Sequence, residues 1–168
     1  MDDVLRQIER TYTSLADPQF RAINETMGRQ PWARLVAEIG LQFTVEDETD
    51  DNNDVAFTYV LGDEGREWVL GLSAVGPYAL VGRISPDGGF WSALLEPSSR
   101  DLDGHERWLL RTLEKEGLRL LGRAELEKPV ALRLAGMEPG RVRFYQALFT
   151  RSDILPWDDQ TLGRLGLI

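Results

Sequence analysis

The sequence contains no cysteine and only one histidine, His105. A chain without cysteine has no disulfide framework, no thiolate nucleophile and no cysteine-ligated zinc or iron–sulfur site. Histidine is the side chain whose unperturbed pKa lies nearest neutral pH, so its scarcity leaves little for general acid–base chemistry. The absence of cysteine and the single histidine both argue against an enzyme.

Basic side chains are also few: 19 lysines and arginines stand against 28 aspartates and glutamates, a formal net charge of −9. Nucleic-acid affinity comes mainly from clustered bases, so direct nucleic-acid binding is not expected. The longest uncharged stretch, residues 68–82, falls short of the ~20 residues that span a bilayer. The acidic start Met1-Asp2-Asp3 differs from the basic opening of a secretory signal. We therefore expect a cytoplasmic protein without membrane contact.

The residues that are present predict a single α+β domain over residues 1–168. Apolar residues make up 42% of the chain, and a chain of this length buries roughly 70% of its unfolded surface, enough for a core without metals. Helical spacing of apolar residues predicts short helices within about residues 1–40. Short strand-like runs between residues 55 and 95 are separated by glycine- and proline-containing turns, which predicts an antiparallel meander.

A long helix and a final hairpin are predicted after the meander. Asp103 and Glu106 have the spacing of a capping box at the start of a helix over residues 103–116. Two apolar runs follow at residues 130–134 and 142–149, with turn residues between them. This pattern predicts a C-terminal β-hairpin packed in the same domain.

The charge is concentrated in residues 46–54, which contain six acids and no base and so carry −6 of the −9. An EF-hand loop needs glycine at its sixth position and a bidentate acid at its twelfth. Counted from Asp50, those positions hold Val55 and Leu61, so no metal site is predicted. Two interpretations stay open: a solvated loop that guards a strand edge, or a patch that binds a basic partner. The candidate partner-binding acids are Asp47, Asp50, Asp51 and Asp54.

Aromatic residues on the predicted strands form a second candidate binding surface. If helices cover only one face of the sheet, some rings are exposed, which is a signature of protein binding. If helices from both ends of the chain cover them, the same rings belong to the core. The candidate partner-binding rings are Trp68, Tyr78, Trp91 and Tyr145.

Motifs that carry catalysis are incomplete. His105 lies in the first turn of the predicted long helix, without a nucleophile or a second acid at a matched spacing. Ser73 lacks the glycine that follows two residues after the serine of a nucleophile elbow. Residues 62–65 lack the lysine of a phosphate-binding loop. We predict no catalytic residue and no cofactor, although a pair of carboxylates alone can support hydrolysis.

The order of these elements resembles the secretion-chaperone-like fold of type III secretion chaperones and the YbjN family. The similarity runs from a helix through the meander at residues 55–84 and the helix at residues 103–116 to the hairpin at residues 130–149. Members of that group are small, acidic, cysteine-poor proteins that bind other proteins, usually as homodimers, without cofactor or catalysis. The resemblance implies a homodimeric protein-binding domain, and it assigns no binding residue because no motif carries it.

The sequence leaves three functions open. The first is a non-enzymatic protein-binding domain, an adaptor or chaperone-like homodimer. The second is an immunity or antitoxin protein whose acidic residues neutralise a basic toxin, since opposite charge speeds such capture. The third is a hydrolase that uses carboxylates alone.

Overall fold

The computed structural model describes residues 2–158. Three helices come first, five strands of a six-stranded mixed sheet follow, and the sixth strand lies among the last three helices, which confirms the predicted α+β class. The elements in chain order are α1 (Asp3–Tyr12), α2 (Arg21–Arg29), α3 (Ala33–Ile39), β1 (Thr44–Asp47), β2 (Ala56–Asp63), β3 (Arg66–Ser73), β4 (Tyr78–Ile84), β5 (Trp91–Leu94), α4 (Gly104–Lys115), β6 (Arg119–Leu120), α5 (Arg123–Leu126) and α6 (Phe144–Leu148). Among residues 2–158, no helix combines the length and the apolar character that crossing a membrane requires.

Five strands form an antiparallel meander in the order β1-β2-β3-β4-β5. The pairing of β2 with β3 runs from Ala56 opposite Ser73 to Asp63 opposite Arg66. The turn between them contains Gly65 at φ 80°, a left-handed conformation that glycine adopts without steric cost. The short strand β6 pairs parallel to β4 after the long crossover that contains α4. The predicted meander is confirmed, and β1 lies at a free edge of the sheet.

Helices cover both faces of the sheet. The side chains of α1, α2 and α6 pack on one face, and those of α3 and α4 pack on the other. Alternation along β3 sends Val69 to the first face and both Trp68 and Leu70 to the second. Because both faces are covered, β3 and β4 are buried along most of their length.

Capping residues set the start of two helices. Asp2 accepts a hydrogen bond from the Val4 amide at 2.8 Å at the start of α1. At α4, the Asp103 carboxylate accepts from the Glu106 amide at 2.8 Å, and the Glu106 carboxylate accepts from the Asp103 amide at 3.1 Å. This reciprocal pair confirms the capping box and the helix start that the sequence predicts.

The predicted C-terminal β-hairpin is wrong. Residues 130–134 form no strand, and most of the run 142–149 is the helix α6. An isolated antiparallel bridge between Pro129 and Arg143 lies where the hairpin was expected.

Burial explains why the sequence of this run does not distinguish a helix from a strand. All five residues of α6 are buried, so the run has no polar face that distinguishes a helix from a strand in the sequence. The Ala147 carbonyl accepts a hydrogen bond from the Tyr12 hydroxyl at 2.6 Å, and the Leu148 carbonyl accepts one from the Ser73 hydroxyl at 2.7 Å. Contacts with α1 and β3 therefore decide the conformation, whatever the strand preference of the aromatic residues.

Candidate functional site: an acidic segment beside an aromatic cavity

Residues 46–54, the acidic segment, begin in the edge strand β1 and end at Asp54, which forms an isolated antiparallel bridge with Thr150. Glu46 and Asp47 belong to β1 and pair with β2. The Glu48 amide then donates to the Thr58 carbonyl at 2.9 Å. The segment therefore begins as an edge strand, which corrects the expectation of a loop throughout. Charged side chains on such an edge also hinder the addition of a strand from another chain.

The second half of the acidic segment is a turn stabilised by its own side chains. The Asp50 carboxylate accepts from the Asn52 amide at 3.0 Å and from Asn53 Nδ2 at 2.8 Å. The Asp54 carboxylate accepts from the Asp50 amide at 2.9 Å and from the Thr58 hydroxyl at 3.1 Å. The hydrogen bond from Asn53 is the main cause of the lowered pKa of Asp50. Asp50 is therefore ionised at neutral pH, and the turn holds its charges in fixed positions.

Arg151 contacts the acidic segment through backbone atoms. Its guanidinium donates to the Asn52 carbonyl, and its amide donates to the Asn53 carbonyl at 2.8 Å. The guanidinium also lies over Phe20, 5.0 Å from the ring centroid. Within residues 2–158, no ion pair joins a carboxylate of the acidic segment to a base. The described part of the chain thus leaves these carboxylates without a salt-bridge partner.

Two carboxyl groups of the acidic segment crowd one another. Glu46 and Glu48 are two residues apart on extended backbone and so lie on the same side of it. A hydrogen bond with Glu46, followed by the charge of Glu46, raises the pKa of Glu48. The pair binds a proton more readily than an isolated glutamate does, and it attracts any other cation for the same reason.

A cavity of about 250 Å³ opens beside the acidic segment. Its acidic lining residues are Glu48, Asp50 and Asp54, and its aromatic lining residues are Trp91, Tyr145 and Phe149. The cavity therefore joins candidate acids and candidate rings that the sequence assigns to separate surfaces. Four of the sequence-predicted residues meet here: Asp50, Asp54, Trp91 and Tyr145.

Tyr145 contributes a polar group to this mainly apolar wall. The residue is only 5% exposed, which agrees with the second of the two alternatives, rings that helices cover. Its hydroxyl is not among the buried polar atoms of residues 2–158 that lack a hydrogen-bond partner. Burial, and then the charge of Asp54, raise the pKa of Tyr145, so the hydroxyl stays protonated. Its ring stacks on Phe149 at 6.3 Å and meets Trp91 edge-on at 6.2 Å.

The other four predicted residues do not line the cavity. Asp47 and Asp51 belong to the acidic segment but lie outside the cavity lining. Trp68 is 2% exposed and belongs to the core on the opposite face of the sheet. Tyr78 is buried in the core on the same face as the cavity. Trp68 and Tyr78 therefore form no exposed surface, because helices cover both faces of the sheet, as in the second of the two alternatives.

Sequence reasoning missed a buried ion pair on the face opposite the cavity. Arg83 donates to the Glu106 carboxylate through Nε at 2.7 Å and Nη2 at 2.8 Å, and Trp68 Nε1 donates to it at 2.9 Å. Glu106 is 1% exposed. Burial acts to raise its pKa, but the hydrogen bonds from Arg83 and Trp68 outweigh that effect, and the pKa is lowered. The capping-box spacing locates Glu106, whereas no sequence signal pairs it with Arg83.

The residues considered for catalysis have structural partners. His105 Nδ1 lies 2.5 Å from Asp63 Oδ2. The Ser73 hydroxyl donates to a backbone carbonyl of α6 and accepts from the Val75 amide at 3.0 Å. Neither His105 nor Ser73 lines the cavity. Within residues 2–158, no group of three or more histidine, aspartate or glutamate side chains is arranged to hold a metal ion.

Comparison of the chain with protein-family models, with curated proteins and with solved structures gave no match. The resemblance to the secretion-chaperone-like fold therefore stays a prediction carried by the order of elements. Inference about function has to begin from the acidic segment and the cavity.

Proposed function

We propose that this protein is a non-enzymatic protein-binding domain whose acidic segment binds a basic partner. The observation that carries the proposal is a set of six carboxylates on an ordered strand and turn, without an ion pair to any base of residues 2–158. Charge on a fixed scaffold favours a complementary partner, because little conformational freedom is lost on binding.

The contact between Glu46 and Glu48 supports the same proposal. The raised pKa of Glu48 means that a second negative charge beside Glu46 is unfavourable in the free protein. A basic surface that approaches this edge reduces the repulsion between Glu46 and Glu48. This reduction contributes to the free energy of binding. Opposite charge also speeds the encounter of the two proteins.

One narrower form of the proposal is an immunity-type protein that neutralises a basic toxin with the acidic segment. The wider form is an adaptor or chaperone-like protein, and the homodimer implied by the secretion-chaperone-like resemblance is compatible with either. Sedimentation of the purified protein tests the homodimer separately from partner binding.

A hydrolase that uses carboxylates alone has less support. A general acid works best when its pKa lies near the working pH. The pKa of Asp50 is lowered, away from that range, and Glu48, whose pKa is raised, is exposed to solvent. The Asp54 carboxylate already accepts hydrogen bonds from the Asp50 amide and the Thr58 hydroxyl.

The test of the proposed function is a variant in which Asp47, Asp50, Asp51 and Asp54 are all replaced by asparagine. Asparagine keeps one side-chain oxygen, so both hydrogen bonds accepted by Asp54 Oδ2 and one of the two accepted by Asp50 can be retained while the charges are removed. We expect the immobilised wild-type protein to retain basic proteins at low salt and to lose them as salt rises. The quadruple variant should retain few of them.

The matched control removes four charges from exposed acids outside the acidic segment: Glu64, Asp87, Glu116 and Glu138, replaced by their amides. It has the same net charge as the quadruple variant, so a general effect of charge would weaken both equally. Retention of the same partners by wild-type protein, control and quadruple variant would contradict the proposal. Rescue of cells from a co-expressed basic toxin, lost only in the quadruple variant, would single out the immunity form.

A further inference from the structure

Another cavity lies against α4 and shares no lining residue with the acidic segment. Its volume is about 510 Å³, within the ~300–1,000 Å³ usual for a small-molecule site. The connection between β5 and α4, one side of α4, and β6 form its walls. The lining residues on α4 share that side because they are three or four positions apart: Arg107, Leu110, Arg111 and Glu114. The fold therefore places charged and apolar side chains around one space of ligand size, the arginine cavity.

One part of the arginine cavity is apolar. Four leucines line it: Leu102, Leu110, Leu118 and Leu120. Leu118 is buried, whereas the other three are half-buried at the border of the core that α3 and α4 cover. Apolar surface that remains in contact with water favours an apolar group that covers it. An apolar chain of a ligand therefore has a complementary surface here.

The other part of the arginine cavity is basic. Four arginines and a single acid, Glu114, line it, which gives the lining a net charge of +3 in a chain whose net charge is −9. The arginines are Arg100, Arg107, Arg111 and Arg119. Arg119 pairs with Glu125 at 2.8 Å. The remaining three guanidinium groups make the cavity attractive to an anion.

The acids that adjoin these arginines in the chain are paired with other bases. Asp101 and Glu106 each form an ion pair with Arg83, at 2.8 Å and 2.7 Å. Asp103 forms one with Arg66. Both partner arginines belong to the central strands of the sheet, β3 and β4. The fold thus draws the neighbouring carboxylates toward the sheet and leaves the guanidinium groups at the cavity.

Three cavity arginines have no counter-charge in the described part of the chain. Over residues 2–158, Arg100, Arg107 and Arg111 form no ion pair. Arg107 donates through Nη1 to the Leu102 carbonyl at 2.6 Å, which holds its guanidinium beside the cavity. A guanidinium presents five donors in a planar fork that matches a carboxylate or a phosphate. The donors that such a group needs are therefore present without rearrangement of an existing ion pair.

We infer that the arginine cavity binds an organic anion with an apolar chain, a carboxylate or a phosphate monoester. Arg100, Arg107 and Arg111 hold the anionic head, and the leucines cover the chain. The head alone leaves the leucines in water, and an uncharged chain leaves the guanidinium groups without a counter-charge. The inference goes beyond the proposed function and does not depend on it, because the two involve different residues.

The test is an NMR titration of the full chain with decanoate and with decyl phosphate, each below the concentration at which it forms micelles. We expect the amides of Ser99, Leu110 and Leu120 to shift in a saturable way, because these residues line the cavity. Decanol has the chain without the charge, and inorganic phosphate has the charge without the chain. Each should bind at least tenfold more weakly than the amphipathic anions. The tighter of the two anions identifies the head group.

Two single substitutions on α4 locate the site by opposite effects. Arg111→Gln removes a positive charge from the lining and should weaken decanoate about fivefold, the effect of one partly exposed ion pair. Lys115→Gln is the matched control, because it removes the same charge from an exposed position of α4 outside the lining. Glu114→Gln removes the only carboxylate of the lining and should tighten decanoate about twofold. A gain in affinity does not arise from unfolding.

Several results would overturn the inference. Equal binding of decanol and decanoate would mean that the arginines do not take part, and equal binding of inorganic phosphate and decyl phosphate would mean that the leucines do not. The same affinity in Arg111→Gln and Lys115→Gln would place the anion outside the cavity. If neither amphipathic anion binds in a saturable way, the arginine stems only cover the leucines, as long basic side chains do on apolar surface.

Discussion

The carboxylate of Glu106 and the carboxylates of the acidic segment lie in opposite environments. Glu106 is buried on one side of the sheet, and its oxygens accept hydrogen bonds from Arg83 and Trp68. The acidic segment lies at the free edge of the sheet, without an ion pair to bases of residues 2–158. Glu106 has its charged partner within the fold, whereas the carboxylates of the acidic segment have no ion-pair partner among residues 2–158. We expect the buried pair to contribute to stability, whereas binding by the acidic segment is what the proposed function assigns to it.

The largest expected effect tests the buried pair. Arg83→Met should lower the free energy of unfolding by about 3–5 kcal/mol, because it leaves the Glu106 carboxylate buried without its charged partner. Arg66→Met is the control, since Arg66 pairs with Asp103 at a largely exposed position and should cost at most ~1 kcal/mol. Denaturant unfolding measures both. Equal losses would mean that the Arg83 pair has no special role in stability.

The loss of stability caused by Arg83→Met should depend on pH. The folded-state pKa of Glu106 is lowered from the usual value of 4.5, so its ionised form stabilises the fold above that value. This stability is lost as the pH falls through the lower folded-state pKa. The difference between wild-type protein and Arg83→Met should therefore shrink in acid. A difference that stays constant down to low pH would contradict the assignment to Glu106.

The second effect compares two buried tyrosines. The Tyr12 hydroxyl donates to the Ala147 carbonyl at 2.6 Å, so Tyr12→Phe should cost about 1–3 kcal/mol by leaving that carbonyl unpaired. The Tyr145 hydroxyl donates to no carbonyl in the described hydrogen bonds and is not a buried unpaired atom, so Tyr145→Phe should change stability by less than ~0.5 kcal/mol. Thermal unfolding measures the two variants. A large loss from Tyr145→Phe would show that its hydroxyl contributes to the stability of the fold.

The elements predicted well from the sequence are those whose signals are local. Asp103 and Glu106 define the start of α4 through their spacing alone, and the turn at Gly65 requires only a conformation that glycine adopts. The run 142–149 has no such signal, because burial on every side removes the periodicity that separates a helix from a strand. Its conformation depends on contacts with α1 and β3, which are distant in sequence.

The candidate site shows the same limit. Charge density alone identifies the acidic segment, and four cavity-lining residues were among the predicted candidates: Asp50, Asp54, Trp91 and Tyr145. Their meeting in one cavity depends on α6, which the sequence predicts as a strand. The sequence left open whether Trp68 and Tyr78 are exposed, because a strand sequence does not show how many faces are covered; in the structure β3 and β4 are covered on both faces.

The smallest expected effect is a pH dependence of stability at Glu48 that is opposite in sign to that of the buried pair. The pKa of Glu48 is raised by Glu46, so the folded protein binds this proton more readily than the unfolded chain does. That contribution is present below the unfolded-state pKa and is lost as the pH rises through the folded-state pKa. Glu48→Gln should therefore be slightly more stable than wild-type protein at neutral pH, with the advantage lost in acid. Thermal unfolding at several pH values measures it, and Glu64→Gln, an exposed position away from Glu46, should show no such trend. A neutral-pH loss in Glu48→Gln would mean that Glu48 stabilises the fold, and the contrast between the two groups of carboxylates would then fail.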